Sequence, residues 1–207
     1  MRFIDAKQFW NERFNKPEFI FGKDPNEYLV EQASKYLKPN SSVLCIADGE
    51  GRNGVWLAKQ GMNVTGFDIS EIALAKAHQF AADNAVHIQY NLCDTDGFNW
   101  QANSYDAVIA IFIQFADPEM RARIFRQVHQ TLKPGGVFIL QGYTPKQLEY
   151  KTGGPSLIEH LYTEEMIRGL SQEFNILDLR CYEKELSEGT KHSGISALLG
   201  MVAQKTI

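Results

Sequence analysis

The feature that most restricts what this chain can become is an alternation, repeated five times, of a short apolar run with a stretch whose apolar residues recur at helical spacing. Residues 43–47 read as a buried strand, and residues 53–60 as a helix that stops at Gly61, where glycine takes a left-handed cap at little steric cost. Residues 63–68 are a second strand, and Ser70 is placed to cap a helix running through Ala73, Lys76 and Phe80. Residues 86–92 form a third strand, and residues 105–112 a fourth that is apolar on both faces, as a central parallel strand requires. Asp117 and Pro118 open a helix whose Met120, Ile124, Val128 and Leu132 share one face, and residues 136–141 make a fifth strand. Parallel strands need a crossover, and a helix supplies it, so the expected fold is α/β: a doubly wound, mostly parallel sheet with helices on both faces. Residues 174–186 and 195–204 break the alternation as two strands joined by a polar stretch, 187–193, and are expected to add an antiparallel hairpin at the edge of a seven-stranded sheet.

Composition fits one core. A chain of 207 residues, 44% hydrophobic and 22% charged, reads as a single domain over 1–207: an N-terminal helical segment (1–40), a ligand-binding core (41–145) and a part carrying a loop, a helix and the hairpin (146–207). A net charge of -4 argues against a broad phosphate-neutralising surface, so no nucleic-acid partner is expected. Charged residues from Arg2 to Arg13 interrupt any signal core, and the longest apolar run, residues 107–113, is too short to span a bilayer, so no membrane partner and a cytoplasmic location are expected. Cys45, Cys93 and Cys181 lack metal-ligand spacing and read as reduced, mostly buried thiols; the scattered His78, His87, His129 and His160 give no reason to expect a metal.

In an open α/β sheet the ligand lies beyond the carboxyl ends of the strands. The first such end is Ala47-Asp48-Gly49-Glu50-Gly51-Arg52-Asn53-Gly54, a turn whose glycines let a ligand approach the backbone and whose following helix offers free N–H groups. The second carries Asp68, about 20 positions later, where a carboxylate can accept both hydroxyls of a ribose. The third, Cys93-Asp94, offers an acid and a backbone N–H to the edge of an adenine. Turn, acid and acid in that order suit a nucleoside ligand, with an adenine dinucleotide and S-adenosylmethionine both open at this point. Gly49 to Gly54 satisfies GxGxxG as a string, but Ala47 and Asp48 stand between the apolar strand and the first glycine, where the dinucleotide pattern has none.

Taken together, residues 43–53, 64–70 and 93–94 and the Leu132-Lys133-Pro134-Gly135-Gly136 turn resemble the class I S-adenosylmethionine-dependent methyltransferases. The likeness is strongest to the small bacterial branch similar to tellurite-resistance and thiopurine methyltransferases. It extends from Phe9-Trp10-Asn11-Glu12-Arg13 through Gly142-Tyr143-Thr144-Pro145 and Gly153-Gly154-Pro155 to His192. The resemblance implies a Rossmann-like methyltransferase fold, S-adenosylmethionine as cofactor, S-adenosylhomocysteine as product, and a small-molecule methyl acceptor. It further implies that Gly49 and Gly51 line the methionine moiety, Asp48 belongs to the cofactor-binding set, Asp68 holds the ribose, Ile69 packs on the adenine and Cys93 with Asp94 reads its edge. Ile111 would offer backbone near the methionyl amine, and Trp10 and Arg13 would sit on a lid, Arg13 meeting the methionyl carboxylate. The chain departs from the family at Cys45, where an acid is usual, and at Ala47, where glycine is usual.

Methyl transfer from a sulfonium asks mainly for positioning, and an acceptor that must lose a proton needs a base nearby. Tyr143 and His192 are the candidates for that role, with Gln114 a third polar group near a strand end, and residues 150–155 are a loop placed to shape the acceptor pocket. Two other readings stay open on the sequence: an NAD-dependent oxidoreductase, and a non-catalytic protein that binds S-adenosylmethionine.

Overall fold

The computed structural model describes residues 3–189 and 192–206; Arg2, and Thr190 and Lys191 of the expected 187–193 connection, lie outside the described residues. In chain order the elements are α1 (Phe3–Phe14), α2 (Glu27–Tyr36), β1 (Ser42–Ile46), α3 (Arg52–Lys59), β2 (Asn63–Asp68), α4 (Glu71–Asp83) and β3 (Gln89–Leu92). Then follow β4 (Tyr105–Ile111), α5 (Pro118–Thr131), β5 (Leu132–Tyr143), a short α6 (Gln147–Tyr150), α7 (Glu164–Leu170), β6 (Phe174–Glu188) and β7 (His192–Lys205). The strands form one seven-stranded sheet in the order β3-β2-β1-β4-β5-β7-β6. Strands β1 to β5 pair in parallel, whereas β7 runs antiparallel to both β5 and β6. The α/β fold class, the doubly wound sheet and the added hairpin are as the alternation of sequence periods implied.

Alternation along the central strands fills both faces. Leu44 and Ile46 of β1, Val108 and Ala110 of β4, and Phe138 and Leu140 of β5 join one core with Ile124, Phe125 and Val128 of α5 and Ile167 of α7. The residues between them, Val43 and Cys45, Ala107 and Ile109, Val137 and Ile139, join a second core with Leu29 and Ala33 of α2, Val55 and Leu57 of α3 and Ala81 of α4. Each fully buried aliphatic side chain contributes about 1.5–3 kcal/mol, so these central strands anchor everything placed at their ends.

Helix starts follow the expected caps. Ser70 Oγ accepts from Ala73 N, and Asp117 accepts from Met120 N one residue before Pro118. Other boundaries moved, for physical reasons. The third strand begins at Gln89 rather than at residue 86, because Ala85 turns the chain at φ +55° and Val86 N returns to Ala81 O, leaving Ile88 buried without a sheet partner. The fifth strand starts at Leu132, ahead of the Lys133–Gly136 turn, because Leu132 already pairs with Tyr105 across an irregularity in the register. The hairpin strands run on to Glu188 and back from His192, and those two residues pair. Of the three thiols, Cys45 is buried and Cys93 half-buried, but Cys181 is exposed, because it lies on the outermost strand.

Candidate functional site

The rim over the carboxyl ends of β1, β2, β3 and β4 brings the predicted strand-end residues together. After β1 the chain turns sharply: Ala47 sits at φ +49°, Gly49 at +58° and Gly51, the residue before α3, at +88°. The Asp48 carboxylate is folded beneath this turn, accepting from Tyr90 Oη at 3.1 Å and Gly54 N at 3.2 Å. A Cβ on Gly51 would stand 2.7 Å from Tyr90 Oη, and one on Gly54 would collide with Asp48 Oδ2, so these glycines make room for the Asp48–Tyr90 pair. Burial raises Asp48 to about 7, against the lowering effect of those two hydrogen bonds. Gly49 faces the other way, its Cβ position meeting the ring of Phe14 at 3.5 Å.

At the end of β2, Asp68 Oδ2 accepts from Gly49 N at 3.0 Å and Oδ1 from Ser70 N at 2.8 Å, so one carboxylate fixes both the glycine turn and the start of α4. Burial pushes it up to about 6, opposed by those N–H donors. A carboxylate has about four acceptor positions, so acceptor capacity remains on Asp68 beyond its backbone donors, Ile69 N among them. Ile69 beside it is half-buried. At the end of β3, Cys93 N donates to Asp68 O at 3.1 Å, and Asp94 Oδ1 accepts from Gly97 N at 2.7 Å. Ile111 closes β4, and the next residue, Phe112, takes φ +56°.

Helix α1 lies across this rim. Its Trp10 stacks on Phe14 at 5.6 Å, and Asn11 joins it to α4 through Ser70 Oγ (2.7 Å) and Glu71 (3.2 Å). The Arg13 guanidinium lies 5.8 and 5.6 Å over the rings of Phe9 and Trp10, and its buried Nε finds no hydrogen-bond partner among the described residues. The segment after α1 is fastened to the turn: Ile20 N donates to Glu50 Oε2 at 2.8 Å, and Arg52 reaches Phe21 O at 3.3 Å.

On the hairpin side the structure assembles groups that sequence reasoning missed. Arg52, the first residue of α3, pairs with Glu188 at 2.7 Å with both side chains only 8% exposed. Glu188 Oε1 also accepts from Asn26 Nδ2 at 2.9 Å, and Asn26 donates to Gln141 Oε1 at 2.6 Å. Although burial works against it, His192 and Arg52 hold the Glu188 carboxyl below its ordinary range. Glu188 lies in a polar stretch and is buried by partners more than a hundred residues away, so no local pattern betrayed it.

His192 is a buried member of β7, its ring 4.7 Å from Phe21, 4.4 Å from Phe112 and 5.6 Å from Tyr143. The two candidates Tyr143 and His192 therefore meet. The Tyr143 hydroxyl, with Ser196 nearby, makes no well-formed hydrogen bond among the described residues. Gln114 is occupied: its amide donates to Tyr143 O and His160 O and accepts from Tyr143 N at 2.6 Å, which pins the loop after β4 to the end of β5.

A family model described as a methyltransferase domain matches residues 43–136, the segment from β1 to the turn inside β5. The chain is 30% identical to thiocyanate methyltransferase 1 of Arabidopsis thaliana over 62% of its own length and 55% of that protein's. It is 31% identical to thiopurine S-methyltransferase of Vibrio cholerae over 64% of its own length and 68% of the relative's. Against the first of these curated relatives the chain spans little more than half their length. In structure it superposes on an S-adenosylmethionine-dependent methyltransferase of Methanosarcina mazei with a TM-score of 0.72 at 22% identity, covering 89% of this chain and 99% of that one. With the strand-end turn, the Asp68 carboxylate and the hairpin-edged sheet all in place, the chain belongs to the class I S-adenosylmethionine-dependent methyltransferases.

Proposed function

We propose that this protein transfers a methyl group from S-adenosylmethionine to a small-molecule acceptor, with the cofactor on the β1–β4 rim under α1 and the acceptor on the hairpin side. The observation that carries the reading is the buried Asp68 carboxylate, which organises the Gly49 turn while keeping acceptor positions unused. The residues present fit the cofactor. Asp68 would accept the two ribose hydroxyls, Gly49 and Gly51 would let the methionyl part approach the turn, and Ile69, Cys93 and Asp94 would border the adenine. The orphaned Arg13 Nε, buried among the rings of α1, is the donor a methionyl carboxylate needs, with Trp10 beside it and Ile111 on the opposite wall. Asp48 supports the turn from below through Tyr90 and Gly54.

When bound, S-adenosylmethionine supplies a methyl group already activated by a positively charged sulfur, so the protein's work is to exclude water and to hold an acceptor lone pair in line. Phe14 and Trp10 cover the turn, and the acceptor side is walled by Phe21, Phe112 and Tyr143. No helix among the described residues is long and apolar enough to cross a membrane.

Calorimetric titration with S-adenosylmethionine, S-adenosylhomocysteine and NAD tests the reading. Both adenosyl ligands should bind and NAD should not. Asp68→Ala should weaken the adenosyl ligands by more than about 100-fold, because two hydrogen bonds to a charged group are lost at about 1.5–3 kcal/mol each. Binding of NAD alone, or of none of the three, would refute the assignment.

A further inference from the structure

We propose that His192 is the proton acceptor for the methyl acceptor, oriented by the buried Glu188–Arg52 pair, and that the acceptor is a small, largely apolar molecule presenting a neutral X–H group such as a phenol or thiol. This rests on the reading of the rim as the cofactor site.

Three observations point to it. First, the imidazole is buried and packed against the rings of Phe21, Phe112 and Tyr143, of which only Tyr143 carries a polar group. Its Nδ1 stands 3.9 Å from Glu188 Oε2, inside ion-pair range and beyond hydrogen-bond length, and has no hydrogen-bond partner among the described residues. A ring turned in this way carries its proton on Nδ1, facing the carboxylate, and leaves Nε2 to take another. Second, Glu188 is held from two sides, by Arg52 on Oε2 and by Asn26 on Oε1, so it is a fixed anion. Third, Tyr143, whose buried hydroxyl has Ser196 as its neighbour, brings a second polar group into ring contact with His192. An imidazole walled by Phe21, Phe112 and Tyr143 suits one X–H group on an apolar body, with the hydrogen bond made to Nε2 because Nδ1 faces Glu188. Arg52 is neutralised by Glu188 and so brings no spare cation to recruit a carboxylate or phosphate.

The charges bearing on the imidazole are Glu188 from β6, Arg52 from α3 and Arg13 from α1, and Tyr143 of β5 is the titratable ring packed against it. Burial, together with Arg52 and Arg13, holds it below its ordinary range against the pull of Glu188, so it is neutral and ready to accept near neutrality. In the step proposed here the X–H bond breaks, the proton goes to Nε2, and the bonding pair stays on X as the nucleophilic lone pair. The imidazolium, stabilised by Glu188, returns its proton to water after product leaves. Glu188 and Arg52 are positioning residues.

4-Nitrophenol tests the proposal without turnover, because only its ionised form absorbs strongly in the visible. Each variant is first titrated with S-adenosylhomocysteine; failure of the wild type there would break the cofactor reading and not this one. With that ligand saturating and at mildly acidic pH, nitrophenol bound to the wild type should show a clear ionised fraction. Bound to His192→Gln, which keeps size and polarity, it should be mostly neutral, with affinity for S-adenosylhomocysteine unchanged within about threefold. Glu188→Gln should lower the titration midpoint of the His192 imidazole, read by NMR on the ligand-free protein, an effect that loss of packing alone would not direct downward. Turnover of a protonated acceptor by His192→Gln should fall about 100- to 10,000-fold. Equal ionisation of nitrophenol in the wild type and His192→Gln, or no binding of it to the wild-type complex, would overturn the proposal.

Discussion

The two halves of the site are built by different means. On the β1–β4 rim the groups are backbone N–H donors, glycines and carboxylates, positioned mostly from nearby in the chain, as when Asp68 fixes Gly49 across 19 residues, with Tyr90 reaching Asp48 across 42. On the hairpin side the working groups are side chains from remote parts of the chain: Arg52 and Glu188 are 136 residues apart, Asn26 and Glu188 162. A site made from backbone can recognise a ligand common to a whole family, because its geometry follows from the turn itself. A site made from distant side chains can change with few substitutions, and so serves for whatever differs between relatives. The matching methyltransferase-domain model accordingly covers residues 43–136, which hold the strand-end turn and stop short of the hairpin.

The largest expected effect breaks the hairpin side. Arg52→Ala leaves the Glu188 carboxylate buried without its cation and should cost about 3–5 kcal/mol in urea unfolding, whereas converting both partners to apolar residues of similar size should cost much less. A loss below about 1 kcal/mol in the single variant would mean that the pair is solvated and that the contrast between the halves is false.

A smaller effect sharpens the contrast through pH. The rim acids are raised by burial, Asp48 from 3.8 to about 7 and Asp68 from 3.8 to about 6. The folded state therefore holds these protons more tightly than the unfolded chain, and their contribution to stability is full at acid pH and declines as pH rises through that window. Glu188 is lowered, so its contribution is present above its unfolded value of 4.5 and is lost as pH falls below it. Asp48→Asn should thus gain on the wild type in chemical denaturation as pH rises from about 4 to about 7, and Glu188→Gln should lose ground as pH rises from the acid side. Parallel pH profiles for the two variants would contradict the assigned environments.

The smallest effect concerns Ala47, which holds φ +49° where the family usually has glycine. Left-handed backbone costs a residue with a Cβ about 1–2 kcal/mol, offset in part by the greater entropy of an unfolded glycine, so Ala47→Gly should raise stability by about 0.5–1 kcal/mol. A melting temperature unchanged or lowered would show that the alanine methyl makes a packing contribution of the same size.

How much could be read from the chain follows the same division. The Ser70 and Asp117 caps, the Asn63–Asp68 strand and the turn at Gly49 were legible because each is decided by a few neighbouring residues. His192 was legible as a candidate base but was placed in the polar connection, and Glu188 was not singled out at all, because their burial is conferred by Asn26, Arg52 and Phe21, and nothing near them in sequence announces it. Gln114 misled in the opposite direction, a polar side chain near a strand end that spends its amide on backbone. Ile88 misled the strand boundary, because burial in a connection produces the same apolar letter as burial in a sheet.

The back-to-back approach of Gly22 and Gly189, where a Cβ on either would press into the other's backbone, has a consequence for the order in which the molecule is completed. On the ribosome the segment holding Gly22 and Asn26 emerges early, while its partners Glu188 and Gly189 are synthesised about 160 residues later. A nascent chain released before that point carries the Gly49 turn and the Asp68 carboxylate but lacks Glu188, His192 and the whole of β7, the strand that joins β5 to β6. Truncation from the C-terminal end therefore opens the hairpin side and bares the edge of the sheet at β5 together.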